Sequence, residues 1–146
     1  MGDKSAFLIR SSIDTTLRLL TDCLGEAPLD DEFAKRTYLY IKLAARRERC
    51  AVVVLLNRRG CVIDCVDLAR GPVWRCDDFV RETMDIVRSV DASSFIVCHN
   101  HKNGDEEPSV EDYFITTGLN VAAEAEGIGF MGNYIVTSHR CIKVEL

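Results

Sequence analysis

His99 and His101 stand one residue apart, and Ser109 and Asp112 follow them in the stretch IVCHNHKNGDEEPSVEDYF, residues 96–114. Imidazole and carboxylate are both ligands for transition-metal ions. Side chains on a strand alternate faces, so His99 and His101 point to the same side if the strand persists through them. Their Cα atoms then lie about 6.6 Å apart at a rise of ~3.3 Å per residue, and both rings can converge on one ion. Asp112 follows after ten intervening residues, in the first turn of the next helix. A loop of that length can fold the helix back over the strand end. Two His and one Asp match the ligand count of a catalytic zinc site, which leaves a fourth position for water. Zinc lowers the pKa of that water towards ~7, so hydroxide is available at neutral pH.

Each half of the stretch also has a plainer explanation. A His pair beside a strand commonly serves the surface or a hydrogen bond. PSVED reads as a helix start, with Ser109 as N-cap and Asp112 as its capping-box partner. The cap and the metal site are partly compatible, because a helix start fixed by Ser109 holds Asp112 in place. Hydrolysis further needs a group to move the proton and a donor for the developing oxyanion. Glu48, just before the apolar run 50–57, is the candidate base, and Ser109 the candidate donor. Two other classes stay open. The same two-His-one-carboxylate set forms the facial triad of non-haem iron enzymes. A non-catalytic protein-interaction or DNA-associated module could keep a metal for stability alone.

The elements that must position these residues follow from periodicity. Residues 12–25 read as a helix with Ile13, Leu17, Leu20 and Leu24 on one face, and a second helix covers 31–47. CAVVVLLN, 50–57, suits a strand buried on both faces, and CVIDCVDLA, 61–69, is its hairpin partner across the RRG turn. Asp77 or Asp78 can cap a helix over 78–90. SSFIVCH, 93–99, is a short strand, Ser109 opens a helix to about Glu126, and Gly127 suits its left-handed end. FMGNYIVTS and CIKVEL close the chain as strands. The expectation is an α/β domain, a mixed and mainly antiparallel sheet flanked by helices, at 48–146, with residues 1–47 as a helical N-terminal extension, either packed on the domain or serving as a small interaction element.

Composition narrows the function classes. The 146 residues suit one domain. A net charge of -5 argues against a general grip on nucleic acid, leaving room only for a local basic patch. The seven cysteines show no paired spacing and read as reduced thiols in a cytoplasmic protein. No apolar run approaches the ~20 residues of a membrane span. MGDKSA begins like a myristoylation signal, but Ala6 stands where Ser or Thr is wanted. GIGFMG, 127–132, matches a dinucleotide fingerprint in letters only, since its helix precedes and its strand follows. Cys61 and Cys65 lack a second pair for a structural zinc and read as core. His139 reads as an exposed turn residue, and Trp74 as an anchor of its loop in the core or, alternatively, as lining of a substrate groove.

The pattern H-x-H-x7-S-x-x-D, carried by His99, His101, Ser109 and Asp112, resembles the JAMM (MPN+) metalloprotease motif. HNHKNGDEEPSVED with Thr116 is closer still to the RadC-like branch, and RERCAVVVLLN is similar to that branch's entry into its first core strand, with Glu48 at the acidic position. The resemblance covers about residues 47–146. It implies a sheet between helices in a cytidine-deaminase-like three-layer architecture. Zinc would be held by His99, His101 and Asp112, with Glu48 as general acid/base and Ser109 stabilising the tetrahedral intermediate. The implied substrate is a peptide or a ubiquitin-like protein conjugate, with no membrane partner and a homodimer as an allowed assembly. Three departures stand out. Lys102 places a cation beside the expected metal, and Gly132-Asn133 replaces the family's usual Asp-His. The helix-hairpin-helix DNA-binding modules of longer RadC proteins have no counterpart in residues 1–47.

Overall fold

The computed structural model describes residues 4–6, 12, 15–16, 19–20, 22–23, 26–68, 75–101 and 104–146. Those described between 12 and 23 are helical, as the periodicity predicts, and Leu19 and Leu20 among them are exposed. Ile13, Leu17, Leu24, Trp74 and Lys102 lie outside the described residues.

Helix α1, Glu32–Leu43, opens at Asp31, whose carboxylate accepts the Ala34 N–H at 2.7 Å. It ends four residues before the expected 47, where a turn at 44–45 and an irregular stretch with a bend at 48 lead into the sheet. Strand β1, Ala51–Leu56, is wholly buried, as its unbroken apolar run requires. It turns at 57–60 into β2, Val62–Asp67. The Asn57 side chain accepts the N–H groups of Arg59 and Cys61 there, and Gly60 takes a φ of 78°. Helix α2, Cys76–Ser89, starts two residues earlier than expected. Arg75 is its N-cap and makes no side-chain cap bond. Asp77 and Asp78 sit inside the first turn, where the helix dipole favours their charge, rather than ahead of it as caps. Strand β3, Ser94–Asn100, helix α3, Val110–Glu126, and strands β4, Gly129–Val136, and β5, Cys141–Lys143, complete the chain.

The sheet order is β2-β1-β3-β4-β5. Only the β3–β4 pair is parallel, joined by the α3 crossover, so the sheet is mixed and mainly antiparallel as expected. Alternation then sorts side chains into two cores. Val52, Val54, Ile96, Cys98 and Tyr134 pack with Tyr38, Leu39 and Leu43 of α1. Ala51, Val53, Phe95 and Val97 pack with Met84 and Val87 of α2 and Ile115 and Leu119 of α3. The result is α1 on one face and α2 with α3 on the other. Cys65 is half-buried against the α1-side core, and His139 is exposed, both as read from sequence. Among the described residues, no helix is long and apolar enough to cross a membrane.

Candidate metal centre

The period of two carries the histidines to the α3 side of the sheet. Val97 and His99 continue the face of Phe95, and His99 pairs with Ala51 of β1 and Ile135 of β4. His99 is therefore buried at the end of a central strand. His101 lies one residue beyond β3, yet its N–H still bonds the Val136 carbonyl at 2.9 Å, so the extended register persists through it. The capping box forms as the sequence implies. Ser109 Oγ accepts the Asp112 N–H at 3.2 Å, and Asp112 Oδ2 accepts the Ser109 N–H at 2.8 Å. That cap turns the Asp112 carboxylate toward the strand end.

The three side chains converge. His99 Nε2 lies 3.0 Å from Asp112 Oδ1 and 3.1 Å from His101 Nε2, and His101 Nε2 lies 3.5 Å from Asp112 Oδ2. One donor atom from each falls within 4.8 Å of the others. Bonds of ~2.0–2.1 Å at tetrahedral angles set ligand atoms about 3.3 Å apart, so the observed spacings fit a zinc-sized ion with little adjustment. His101 Nδ1 meets the Asp105 carbonyl at 2.9 Å. A carbonyl only accepts, so Nδ1 donates, and in the neutral ring Nε2 keeps its lone pair for a metal.

Electrostatics without the ion show the same coupling. Burial alone would raise the Asp112 carboxyl. Hydrogen bonds from His101 and His99, the His99 charge and the Ser109 amide outweigh it and hold Asp112 far below the usual carboxylate range. His101 is raised above its ordinary value, chiefly by its bond to Asp112, against an opposing desolvation and with help from the Asp105 carbonyl.

Three supporting residues depend on tertiary contacts. Asn100 points to the face opposite the histidines and is buried. Its Oδ1 accepts the Cys50 N–H at 2.8 Å, and its Nδ2 donates to the Glu48 carbonyl at 2.9 Å, clipping residues 48–50 to the end of β3. Asn133, inside β4, donates to Thr116 Oγ1 at 3.0 Å, and Thr116 donates to the Asp112 carbonyl at 2.6 Å. This relay ties the first turn of α3 to the sheet, though Asn133 Oδ1 is left buried without a hydrogen-bond partner among the described residues. A polar Asn inside the apolar strand run at 95–100 was the available sequence signal for Asn100, since a buried amide needs partners.

Glu48 is brought to the neighbourhood by its backbone. It is exposed and lines a cleft with Arg46, Arg47, Cys50 and Asp67. Ser109 and His101 line a different cleft, about 530 Å³, together with Arg49, Asp105 and Glu107.

Mixed sheet, flanking helices and a His-His-Asp cluster at the strand–helix junction together describe a JAB-type domain with a group that could hold a metal ion. The sequence matches the RadC-like JAB domain family over residues 31–145, and the chain belongs to that family. The match begins at the start of α1, before residue 48. A UPF0758 protein of Aromatoleum aromaticum is 27% identical over 140 residues, covering 95% of this chain and 62% of its own length. A UPF0758 protein of Neisseria meningitidis serogroup C is 33% identical over 122 residues, covering 83% of this chain and 54% of its own. One from Shewanella loihica is 30% identical over 129 residues, covering 88% and 57%. The chain thus spans little more than half the length of these relatives.

Proposed function

We propose that this domain is a zinc-dependent peptidase or isopeptidase of the RadC-like JAMM type. The observation that carries the reading is the convergence of His99, His101 and Asp112 at spacings suited to one ion. These three would hold the zinc, which when bound supplies Lewis acidity and a water of lowered pKa. Glu48 is assigned the proton taken from water and delivered to the leaving amine. Ser109 Oγ accepts the Asp112 N–H, which leaves its own O–H free to donate to an oxyanion in the cleft it lines. Asp105 and Asn100 hold His101 and residues 48–50 in place. A peptide or a ubiquitin-like conjugate is the proposed substrate class.

A second reading, a metal-stabilised module without catalysis, draws on Glu48 alone, because Glu48 and Ser109 line different clefts. One experiment separates the two. Purified protein is assayed for bound metal and screened for peptide and isopeptide cleavage beside Glu48→Gln and His99→Ala. The enzyme reading expects stoichiometric zinc in wild type and Glu48→Gln, loss in His99→Ala, and cleavage by wild type only. Bound zinc with no cleavage, and a Glu48→Gln variant that keeps full biological function, would select the second reading.

A further inference from the structure

His101 borders two clefts of different character. The one shared with Ser109 carries charge of both signs, Arg49 against Asp105 and Glu107. The other, about 220 Å³, is bounded by Arg46 and Arg47 on one wall and Thr137 and Ser138 on the other, with Asn100 and His101 at its base. None of the described residues that line it carries a carboxylate. In a chain of net charge -5, Arg46 and Arg47 give this cleft a basic wall, while Glu48 and Asp67 line the neighbouring cleft that the same two arginines border. Arg46 is committed to Asp67 at 2.9 Å. Arg47 is exposed and has no ion-pair partner among the described residues.

The far wall is a formed surface. Thr137 Oγ1 accepts the N–H groups of His139 and Arg140, and Tyr40 of α1 donates to the Ser138 carbonyl at 3.0 Å. The C-terminal turn of α1 borders the cleft, but the Leu43 carbonyl is already taken by the Arg46 N–H at 3.1 Å.

We propose that this cleft binds an acidic side chain of the peptide substrate, with Arg47 as the specificity-determining cation. The inference rests on the peptidase reading and deepens it. A cleft of about 220 Å³ accommodates one side chain and not a chain of residues. Since it shares His101 with the metal centre, an extended substrate at ~3.3 Å per residue places the acidic residue within about two positions of the scissile bond. The guanidinium of Arg47 pairs bidentately with a carboxylate, a geometry that an amide of the same shape does not reward with charge.

The test uses the full zinc-loaded chain and labelled hexapeptides that differ only by Glu, Gln or Lys at each position. Binding by fluorescence anisotropy and cleavage are both read. The Glu peptide should bind about tenfold tighter than its Gln twin at one position, the effect of one charge-assisted hydrogen bond, and kcat/KM should follow through KM. Arg47→Glu should abolish that preference and favour Lys, while Arg47→Lys should keep part of it. Equal binding of the Glu and Gln peptides at every position, or a preference that survives Arg47→Glu, overturns the proposal. So does Arg47-dependent, salt-sensitive binding of single-stranded DNA with no peptide preference. Glu-selective binding that Arg47→Glu removes, without any cleavage, would keep the subsite and sink the peptidase reading instead.

Discussion

Asp112 has two tasks at once, and its chemistry shows how they are reconciled. One carboxylate oxygen takes the Ser109 N–H of the capping box, and the same carboxylate faces both imidazoles. In the metal-free protein, Asp112→Asn removes the charge that holds the His101 proton. The His101 pKa, read by an NMR pH titration of its ring, should fall toward the ordinary ~6.5. The variant should also lose zinc. A His101 pKa that does not move would break the assignment of Asp112 as its main partner. Asn100 gives a second prediction at this scale. Asn100→Ala strands the Cys50 N–H at a position that is buried, which costs about 1–3 kcal/mol by urea denaturation. A change below about 0.5 kcal/mol, the level of an ordinary surface substitution, would mean that the clip is dispensable. His99, His101, Ser109 and Asp112 were legible in sequence because alternation on a strand and the grammar of a helix cap are local. The roles of Asn100, Thr116 and Asn133 were not, because Asn100 joins segments about fifty residues apart and the Thr116–Asn133 bond depends on how the helix packs on the following strand. The position of Glu48 depends on that same tertiary clip, so its place before β1 could be read but not the cleft it borders.

Elements were read well in their interiors and less well at ends set by neighbours. The fully buried β1 and the Ser109-to-Gly127 helix carry their own boundaries, in an apolar run and in two caps. The end of α1 does not. Its charged tail could continue a helix, but Arg46 pairs with Asp67 and Asn100 fixes the backbone at 48–50. The start of α2 moved for a related reason, since Asp78 pairs with Arg81 at 2.5 Å within the first turn instead of capping from outside. Gly132 tests the most constrained point of β4. Its φ is 129°, and an added Cβ would lie 2.8 Å from Lys143 Cε and 3.0 Å from Tyr134 Cε2. Lysine can move, but the Tyr134 ring is fully buried and its hydroxyl donates to Glu32 at 2.9 Å. Gly132→Ala should therefore destabilise by about 1–3 kcal/mol through backbone strain and the ring contact. Gly127→Ala, at a φ of 68° with nothing within 4 Å of the new Cβ, should cost only about 1 kcal/mol. Equal losses in the two variants, by denaturation midpoint at unchanged m-value, would show that the ring can yield.

At the scale of the whole molecule, the centre sits where the sheet meets α3, and α3 is the crossover between the parallel strands β3 and β4. An ion there would join a strand end to a helix start and stabilise the fold by mass action, by about 4 kcal/mol at a thousandfold excess over Kd. Protons act at the same place with the opposite trend. His101 is raised in the metal-free fold by its pairing with Asp112. That pair stabilises fully below the unfolded-state histidine value of ~6.5, and its contribution disappears as pH rises through the higher folded value. The depressed carboxyl of Asp112 is the other side of this one interaction and adds nothing further across that window. Zinc needs the neutral ring, so it must displace the His101 proton, and its affinity grows as pH rises. The gain in Tm on adding zinc should therefore be larger at pH 8 than at pH 6, and absent at both in Asp112→Ala. The metal-free Tm should lose the His101 contribution as pH rises through the folded His101 value. A zinc-induced gain that is equal at the two pH values, or that persists in Asp112→Ala, would mean that the ion binds elsewhere and that the His-His-Asp junction is held by its proton and its cap alone.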